Sequence, residues 1–311
     1  MALMNDICNI VRIADKIIEI AGKENIKFNE PLKYHTSFKI GGPADIFVMP
    51  DGISAFVELL KLCKIQNIPY YIIGNGTNLI VRDKGIRGVV IKTGDKLGKC
   101  SVNNNIIEAE SGILLSVLSK IACNYELSGL EFASGIPGTL GGAVIMNAGA
   151  YGGEMRDVVI KTQYLDSEGD IKVLEGQQHL FGYRTSLIQK ENGVILKSWL
   201  RLKRGEKRLI EEEMQVLKDK REKSQPLDMP SAGSVFKRPK GHYTGPLIEQ
   251  CGLKGYSIGG AQVSNKHCGF IVNTGDAAAE DVIGLIKFVQ DTVKKQFGVE
   301  LETEVKIIGE E

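Results

Sequence analysis

The sequence predicts a protein of the α+β class that folds as more than one domain. At 311 residues the chain is longer than one small hydrophobic core can organise, which favours two or three domains. Several segments repeat apolar residues at three- and four-residue steps, which is typical of amphipathic helices. Short β-branched runs bounded by turn residues lie between them and predict strands.

Charge and composition exclude several classes of protein. Lys plus Arg number 39 and Asp plus Glu number 38, so the net charge is +1 and we expect no nucleic-acid partner. The first ten residues carry an acid where a signal peptide carries positive charge, and no apolar run approaches about 18 residues, so we expect neither export nor a membrane partner. Six cysteines without a CxxC pair indicate reduced thiols in a cytoplasmic protein, without disulfides or a metal site.

The N-terminal third is predicted to contain two helices and several strands. Residues 6–23 and 53–66 show helical periodicity, and a short strand-and-turn segment lies between them. The apolar run YYII at 70–73 predicts a strand, and LIVRDKGIRGVVI at 79–91 predicts further strands separated by a turn.

The segment GNGTN, residues 74–78, joins these strands and raises the question of a nucleotide site. A dinucleotide fingerprint requires GxGxxG leading directly into a helix, and here both the third glycine and the helix are missing. A strand followed by a turn of small residues can still present successive backbone N–H groups to phosphate oxygens. A tight turn without any ligand is the alternative.

The remainder of the chain is predicted to alternate between helices and strands. Residues 113–124 should form a helix, and the runs VVIKTQYLD, IKVLE and GVILKSWLRL should form strands of a β-rich lobe. A charged helix at 206–223 follows Gly205, and a loop rich in Pro, Ser and Gly at 224–239 follows that helix. A short helix near Leu247, the strand CGFIVN, a long helix that stops at Gly298 and the terminal strand ELETEVKIIGE complete the chain.

The segment SGIPGTLGGAVIMNAGAYGGEM, residues 134–155, holds seven glycines in twenty-two residues, and its only charge is Glu154. Glycine costs about 0.5–1 kcal/mol relative to alanine inside regular structure, so this density answers a geometric need, either positive φ or a close approach to the backbone. We therefore expect a flat or bulky group to lie against this segment.

Five segments form one ordered set: GNGTNLIV, SGIPGTLGGAVIMNAGAYGGE, FGYR at 181–184, SAGSVFKRP and the terminal ETEVKIIG. Together they resemble the UDP-N-acetylenolpyruvoylglucosamine reductase family, from about residue 33 to the C terminus. The resemblance implies an NADPH-dependent flavoenzyme that makes UDP-N-acetylmuramate for peptidoglycan from a UDP-sugar bearing an enolpyruvyl group.

The fold implied by the resemblance is α+β, with a two-lobed FAD-binding domain of the vanillyl-alcohol-oxidase type and an α+β substrate-binding domain. The implied domain ranges are an N-terminal helix at 1–30, FAD-binding lobes at 31–95 and 96–204, and a substrate-binding domain at 205–311 with a catalytic strand at its C terminus.

The resemblance also assigns FAD contacts to two segments. One set would lie on the pyrophosphate side of FAD: Gly74, Asn75, Gly76, Thr77 and Asn78. A second set would line the flavin: Ser134, Gly135, Ile136, Gly138, Thr139, Gly142 and Ala143. Histidine and cysteine, which attach flavin covalently in some proteins of this fold, occur in neither segment, so we expect noncovalent FAD with NADPH as co-substrate.

Three residues match the family's catalytic set. Arg184 would present its planar donor fork to charge that develops beside the substrate carboxylate. Ser234 would donate a proton to carbon, and Glu304 would be the family's carboxyl group near the substrate. Ser231 is the local rival of Ser234, and Glu302 is the rival of Glu304 because both glutamates would share one face of the predicted terminal strand.

The chain resembles the shorter form of the family, because the stretch between Arg184 and Ser234 leaves no room for the inserted tyrosine loop of the longer form. We expect Arg221 and Lys237 to meet the substrate diphosphate instead, and Lys237 is also a candidate to assist Ser234. A solvated surface role is the alternative for both basic residues.

A different flavin-dependent oxidoreductase of the same fold, acting on hydroxyl substrates, is the alternative function, and a nonenzymatic sugar-nucleotide binder is more distant. The segments SAGSVFKRP and ETEVKIIG lie outside the flavin domain, and their match favours the reductase.

Overall fold

The computed structural model describes residues 13–311, which form two compact units. The units are assembled from alternating stretches of the chain. Unit 1 contains the described residues up to Glu30, Asp45–Asn75 and Gly88–Leu217, and unit 2 contains Pro31–Ala44, Gly76–Arg87 and Lys218–Glu311. The domain ranges expected from the sequence, which are consecutive, stay a prediction.

Eight helices are described within residues 13–311. They are α1 (13–21), α2 (Gly52–Ile65), α3 (Leu115–Asn124), α4 (Leu140–Ile145), α5 (Leu187–Lys190), α6 (Lys207–Ser224), α7 (Thr244–Gln250) and α8 (Ala279–Phe297). The part of the predicted first helix that falls on residues 6–12 lies outside the described residues.

The strands are short, and most of them lie in three sheets. They are β1 (Ile26–Pro31), β2 (Pro43–Val48), β3 (Tyr70–Ile73), β4 (Leu79–Val81), β5 (Ile86–Lys92), β6 (Cys100–Asn103), β7 (Ile106–Glu110), β8 (Leu127–Ser128), β9 (Gly149–Ala150), β10 (Gly153–Glu154), β11 (Val159–Leu165), β12 (Ile171–Glu175), β13 (Val194–Arg201), β14 (Lys203–Arg204), β15 (Ser231–Ser234), β16 (Ser257–Ile258), β17 (Ala261–Val263), β18 (Phe270–Asn273) and β19 (Lys306–Ile308).

Unit 1 contains two hydrophobic cores. One core joins Ile17 of α1 with Phe56 of α2 and Ile91 of the sheet ordered β1-β2-β5-β3, in which β3 and β5 are parallel. The other joins Leu115 of α3 and Leu140 of α4 to the antiparallel sheet ordered β12-β11-β13-β7-β6. The helices α1, α2 and α3 bury apolar residues of the stripes that their periodicity predicts.

Unit 2 is organised by α8, which packs on the antiparallel sheet ordered β15-β18-β17-β16. The carboxylate of Asp83 accepts hydrogen bonds from the backbone N–H groups of Ala279 and Glu280, at 2.8 and 3.2 Å, and so satisfies donors at the helix N terminus. The helix ends where Gly298 adopts a left-handed φ of 68°, which glycine reaches without a steric penalty.

Most predicted elements are confirmed. The runs YYII and IKVLE form β3 and β12 with the predicted bounds, and helices form at the two predicted stretches that became α2 and α6, within one residue at each end. No helix directly follows GNGTN, because β4 comes next. The structure adds α4, which lies inside the glycine-rich segment and which the periodicity did not predict.

The prediction of a loop over 224–239 was wrong in its central part, where SAGS forms β15. Ser231 lies opposite Val272 and Ser234 lies opposite Phe270, so three steps on β15 match two on β18. This β-bulge requires unusual backbone geometry, and Gly233 supplies it with a φ of 76°. The glycine in SAGS, together with the neighbouring Pro and Ser residues, had favoured the prediction of a loop.

The predicted terminal strand was too long, because only Lys306–Ile308 forms β19. Before it, the backbone hydrogen-bonds to a different segment: Lys237 N–H donates to Glu302 O and Glu304 N–H donates to Val235 O, both at 2.8 Å. Lys306 N–H then donates to Asn78 O at 3.0 Å, and β19 continues parallel to β4. The chain changes its partner at residues 304–306, which ends the regular alternation of side chains.

None of the helices described in residues 13–311 combines the length and the apolar composition that a membrane span requires. The cysteines Cys63, Cys100, Cys123, Cys251 and Cys268 are free thiols.

Leu285→Ala should destabilise unit 2, because Leu285 is 0% exposed on the buried face of α8. Loss of a buried leucine side chain costs about 2–5 kcal/mol. Leu209→Ala on α6 is the control, since Leu209 is 49% exposed and its truncation should cost under about 1 kcal/mol. Denaturant unfolding followed by circular dichroism measures both, and equal midpoints in the two variants would contradict the packing described.

Candidate active site

The two segments predicted to bind the cofactor come together in unit 1. The side-chain amide of Asn75 donates a hydrogen bond to Pro137 O at 2.7 Å. A Cβ atom placed on Gly74 would lie 2.4 Å from Thr139 Oγ1, closer than real contacts allow, so a larger residue at position 74 would displace the Thr139 side chain. The structure thus places Gly74 and Asn75 against the segment that contains Gly135, Ile136, Gly138, Gly142 and Ala143.

Thr139 carries a polar atom that the protein leaves unsatisfied. Its Oγ1 is buried and has no hydrogen-bond partner among residues 13–311. A buried hydroxyl without a partner costs about 1–3 kcal/mol, so its presence beside a glycine cradle points to a ligand that completes the bond. The nearest neighbour of a Cβ placed on Gly142 is the same Thr139 Oγ1, at 3.7 Å. Small residues around one free hydroxyl fit a flat, polar group such as a flavin.

Two of the predicted cofactor residues use their side chains inside the protein, and a third, Gly76, is fixed by backbone packing. Ser134 Oγ donates to Glu131 O at 2.8 Å, and Asn78 Nδ2 donates to Glu304 O at 3.2 Å. Gly76 has a φ of 64°, and a Cβ there would lie 2.0 Å from His35 O, so packing within unit 2 already requires glycine. Direct contact of these residues and Thr77 with a cofactor stays a prediction.

Arg184 lies in a tight turn of unit 1. Gly182 and Thr185 pair across the turn, with Gly182 N–H donating to Thr185 O at 3.0 Å. Arg184 itself has a left-handed φ of 55°, its Nη2 donates to Gly149 O at 3.3 Å, and its guanidinium lies 5.3 Å from the centre of the Tyr183 ring. The guanidinium is therefore held beside the glycine-rich segment.

A buried histidine supports the start of this turn. His179 is 0% exposed and stacks on Phe181 with ring centres 4.9 Å apart. Its Nε2 lies 2.9 Å from Thr162 Oγ1, which is 3.1 Å from Ser198 Oγ, and its Nδ1 lies 2.8 Å from Gly176 O. Burial lowers the pKa of His179, so the ring is neutral at physiological pH and serves as a structural anchor.

Ser234 and Glu304, far apart in sequence, lie on adjacent backbone in unit 2. The N–H of Glu304 donates to the carbonyl of Val235, the residue after Ser234, at 2.8 Å. Ser234 Oγ donates to Phe236 O at 3.2 Å, and Thr303 pairs with Phe236. The bulge at Gly233 and the change of partner at 304–306 together bring two of the three predicted catalytic residues into one place.

The structure separates Glu304 from its rival. Glu302 is exposed, and its carboxylate forms an ion pair with Lys237 Nζ. Glu304 is half-buried, so the two side chains differ in environment although they are two residues apart. The same ion pair engages the ammonium of Lys237, which was expected to assist Ser234. Ser231 stays a rival of Ser234, because they lie opposite Val272 and Phe270, two residues apart on β18, and so both side chains are on the same face of the sheet.

A cavity of about 620 Å³ lies in unit 2 on the sheet face that carries Ser231. Gln262 lines it and sits opposite Val272, as Ser231 does, so the two side chains share one face. The other walls come from the end of α6, where Glu222 follows Arg221, and from the loop that contains Leu227 and Met229. Sequence reasoning missed this cavity, since its walls come from separate segments without a common motif.

Comparisons with known proteins agree with this geometry. A family model described as UDP-N-acetylenolpyruvoylglucosamine reductase, C-terminal domain, matches residues 225–308, and one for an FAD binding domain matches residues 44–175. Reductases of that name from Caldanaerobacter subterraneus subsp. tengcongensis and Alkaliphilus oremlandii are 51% and 52% identical to this chain, over 96% and 95% of it and 98% and 97% of their own lengths. The crystal structure of the reductase from Thermus caldophilus matches with a TM-score of 0.76 at 35% identity, over 90% of this chain and 97% of that one.

These findings confirm the predicted α+β fold class, with an FAD-binding domain and a substrate-binding domain.

Thr139→Val should weaken FAD binding without destabilising the FAD-free protein. Valine keeps the shape of threonine and removes a hydroxyl that has no partner in the protein. Loss of one hydrogen bond of about 1–1.5 kcal/mol corresponds to an FAD Kd raised up to roughly tenfold. Titration of FAD-free protein followed by flavin fluorescence gives the Kd, and thermal melting of the same sample gives stability.

Thr162→Val is the matched control, because the Thr162 hydroxyl is hydrogen-bonded to His179. It should lower stability and leave the Kd for FAD unchanged. The interpretation of Thr139 fails if Thr139→Val destabilises the FAD-free protein while binding FAD as tightly as the native chain.

Proposed function

This chain belongs to the UDP-N-acetylenolpyruvoylglucosamine reductase family, and from that membership we propose that Arg184, Ser234 and Glu304 carry its chemistry. The activity is the NADPH-dependent reduction of the enolpyruvyl group of UDP-N-acetylenolpyruvoylglucosamine to give UDP-N-acetylmuramate, a precursor of peptidoglycan. FAD, which the segments 74–78 and 134–143 would hold, would supply the hydride-transfer chemistry between NADPH and the double bond. The chain's own residues orient the substrate, stabilise charge and deliver a proton.

Arg184 stabilises the negative charge that develops next to the substrate carboxylate when the CH₂ carbon receives hydride. Its guanidinium offers two parallel N–H donors to a carboxylate, a geometry that a lysine ammonium does not provide. Support comes from the turn at Gly182–Thr185, which holds the half-buried guanidinium against the Gly149 carbonyl. Donors fixed before the reaction stabilise developing charge without a cost of reorganisation.

Ser234 delivers the proton to the carbon that bears the carboxylate, and Glu304 acts beside it. The observation that carries this assignment is the hydrogen bond from Glu304 N–H to Val235 O, which fixes the backbone of Glu304 next to that of Ser234. Asn78 holds the Glu304 carbonyl from another side at 3.2 Å. A hydroxyl is a weak acid, so a serine donor needs a neighbouring polar group that stabilises or reprotonates its oxygen, and Glu304 is that neighbour.

The cavity in unit 2 receives part of the UDP-sugar. Its volume of about 620 Å³ lies in the usual range for ligand sites, and apolar walls at Leu227 and Met229 combine with the polar groups of Gln262 and Asn265. Arg221 precedes a wall residue on α6, which is compatible with the diphosphate contact expected for it. Lys237 also contributes to the diphosphate contact, although its ammonium already forms an ion pair with Glu302.

FAD is held without a covalent bond, and the reaction takes place in the cytoplasm. The free state of the five described cysteines supports a reducing compartment, and neither FAD-contacting segment contains a histidine or cysteine.

Ser234→Ala should leave FAD binding and flavin reduction by NADPH close to native, since neither step uses the proton. A lost general acid costs about two to four orders of magnitude, so reoxidation of reduced enzyme by the enolpyruvyl substrate should slow at least roughly a hundredfold. Anaerobic stopped-flow absorbance resolves both half-reactions. Ser231→Ala is the control and should slow reoxidation far less. Reoxidation of Ser234→Ala at the native rate with saturating substrate would show that another group donates the proton.

Arg184→Lys should slow the oxidative half-reaction more than flavin reduction, because the planar fork serves charge that develops only when hydride reaches the substrate. Loss of one charge-assisted hydrogen bond of about 1.5–3 kcal/mol corresponds to a rate lower by roughly ten- to a hundredfold. The same stopped-flow measurement compares the two half-reactions. Equal losses in both would show that Arg184 supports the cofactor or the fold instead of the substrate.

A further inference from the structure

Asn147 is a buried amide at the centre of the glycine-rich segment, just after α4. Its side chain is 0% exposed, and its backbone has a left-handed φ of 45°. Asn147 Nδ2 donates to Gly182 O at 3.0 Å and to Glu154 Oε2 at 2.8 Å, while Oδ1 accepts from Arg156 N–H at 2.9 Å. One side chain therefore joins the glycine-rich segment to the turn that begins at Gly182.

The neighbours of Asn147 fix which way its amide points. Glu154 forms an ion pair with Arg156 and a reciprocal capping pair with Asp157, so its carboxylate is an acceptor at a defined place. The backbone N–H of Arg156 is a donor on the other side. Only an amide supplies donors toward Glu154 and Gly182 together with an acceptor toward Arg156. An aspartate at position 147 would place its carboxylate against the carboxylate of Glu154.

The turn that Asn147 reaches is strained at the residue proposed to act on the substrate. Arg184 holds a left-handed φ of 55°, and a residue other than glycine keeps such a backbone only where its surroundings enforce it. Gly182 O, which accepts from Asn147, also lies 3.4 Å from Thr185 N across the turn. Gly149, two residues after Asn147, provides the carbonyl that receives Arg184 Nη2. Residues 147–149 therefore hold the turn that contains Arg184 and also provide the carbonyl that its guanidinium contacts.

We infer that Asn147 is a positioning residue that sets the place of the Arg184 guanidinium for the reaction. The inference rests on the proposed role of Arg184. Asn147 acts through the carbonyl of Gly182, which its amide contacts, and through the backbone around Gly149, whose carbonyl receives Arg184 Nη2.

A double-mutant cycle tests this inference on the FAD-loaded enzyme. The variants are Asn147→Ala, Arg184→Ala and the pair, and anaerobic stopped flow gives both half-reactions with NADPH and UDP-N-acetylenolpyruvoylglucosamine. Asn147→Ala should slow reoxidation by the substrate about ten- to a hundredfold and change flavin reduction less than about threefold. In the Arg184→Ala background, the added loss should fall below about threefold, since residues that act as a unit are not additive.

Two further variants separate positioning from folding. Asn147→Gly removes the amide and suits the left-handed φ of 45° at this position, so it serves if Asn147→Ala does not fold, and it should show the same selective loss of reoxidation. Asn25→Ala removes another buried amide of unit 1, which bonds to Ala21 O and Lys96. It should lower the melting temperature and leave both half-reactions within about twofold of native.

The outcomes are distinct. If Asn147 and Arg184 losses multiply in the pair, or if Asn147→Ala slows both half-reactions equally, Asn147 is a structural residue and the inference is wrong. If Arg184→Ala alone reoxidises at the native rate, the proposed role of Arg184 fails, whatever Asn147 does.

Discussion

The close approach of Gly74 to Thr139 is the constraint on which the cofactor region of unit 1 depends. A Cβ on Gly74 would lie 2.4 Å from Thr139 Oγ1, so a side chain at position 74 would displace the Thr139 hydroxyl. The hydrogen bond from Asn75 to Pro137 O, at 2.7 Å, fixes the same approach from the neighbouring residue. The segment that supplies Thr139 continues through Asn147, so the predicted cofactor contacts and the hydrogen bond to Gly182 O belong to one stretch of chain.

Buried polar atoms in that stretch fall into two kinds, and the difference indicates their roles. The amide of Asn147 has its donors and its acceptor satisfied by the protein, which is what a structural link requires. Thr139 Oγ1 is buried among the described residues without a partner, which is what a ligand contact requires before the ligand is bound.

In unit 2, the segments that contain Ser234 and Glu304 are joined by backbone hydrogen bonds and pack on a hydrophobic core. The core between α8 and the sheet is made of fully buried side chains such as Val282 and Val289, and the residues around Ser234 and Glu304 are attached to it through Val235 and Phe236. The ion pair between Lys237 and Glu302 is partly exposed and contributes little stability. The ion pair engages the carboxylate of Glu302, while the backbone N–H of Glu304 donates to Val235 O, beside Ser234.

The sequence by itself determined the elements with a clear period or composition: β3 from YYII, the long helix that ends at Gly298 and the absence of a dinucleotide fingerprint. These are local properties, since side-chain spacing and the freedom of glycine act within a few residues. Only the tertiary structure decided that SAGS is a bulged strand, that Glu304 rather than Glu302 adjoins Ser234, and that Asn147 reaches the Arg184 turn. Each of these depends on a hydrogen bond between segments distant in the chain, and no local pattern encodes which distant carbonyl a backbone or side-chain N–H will meet.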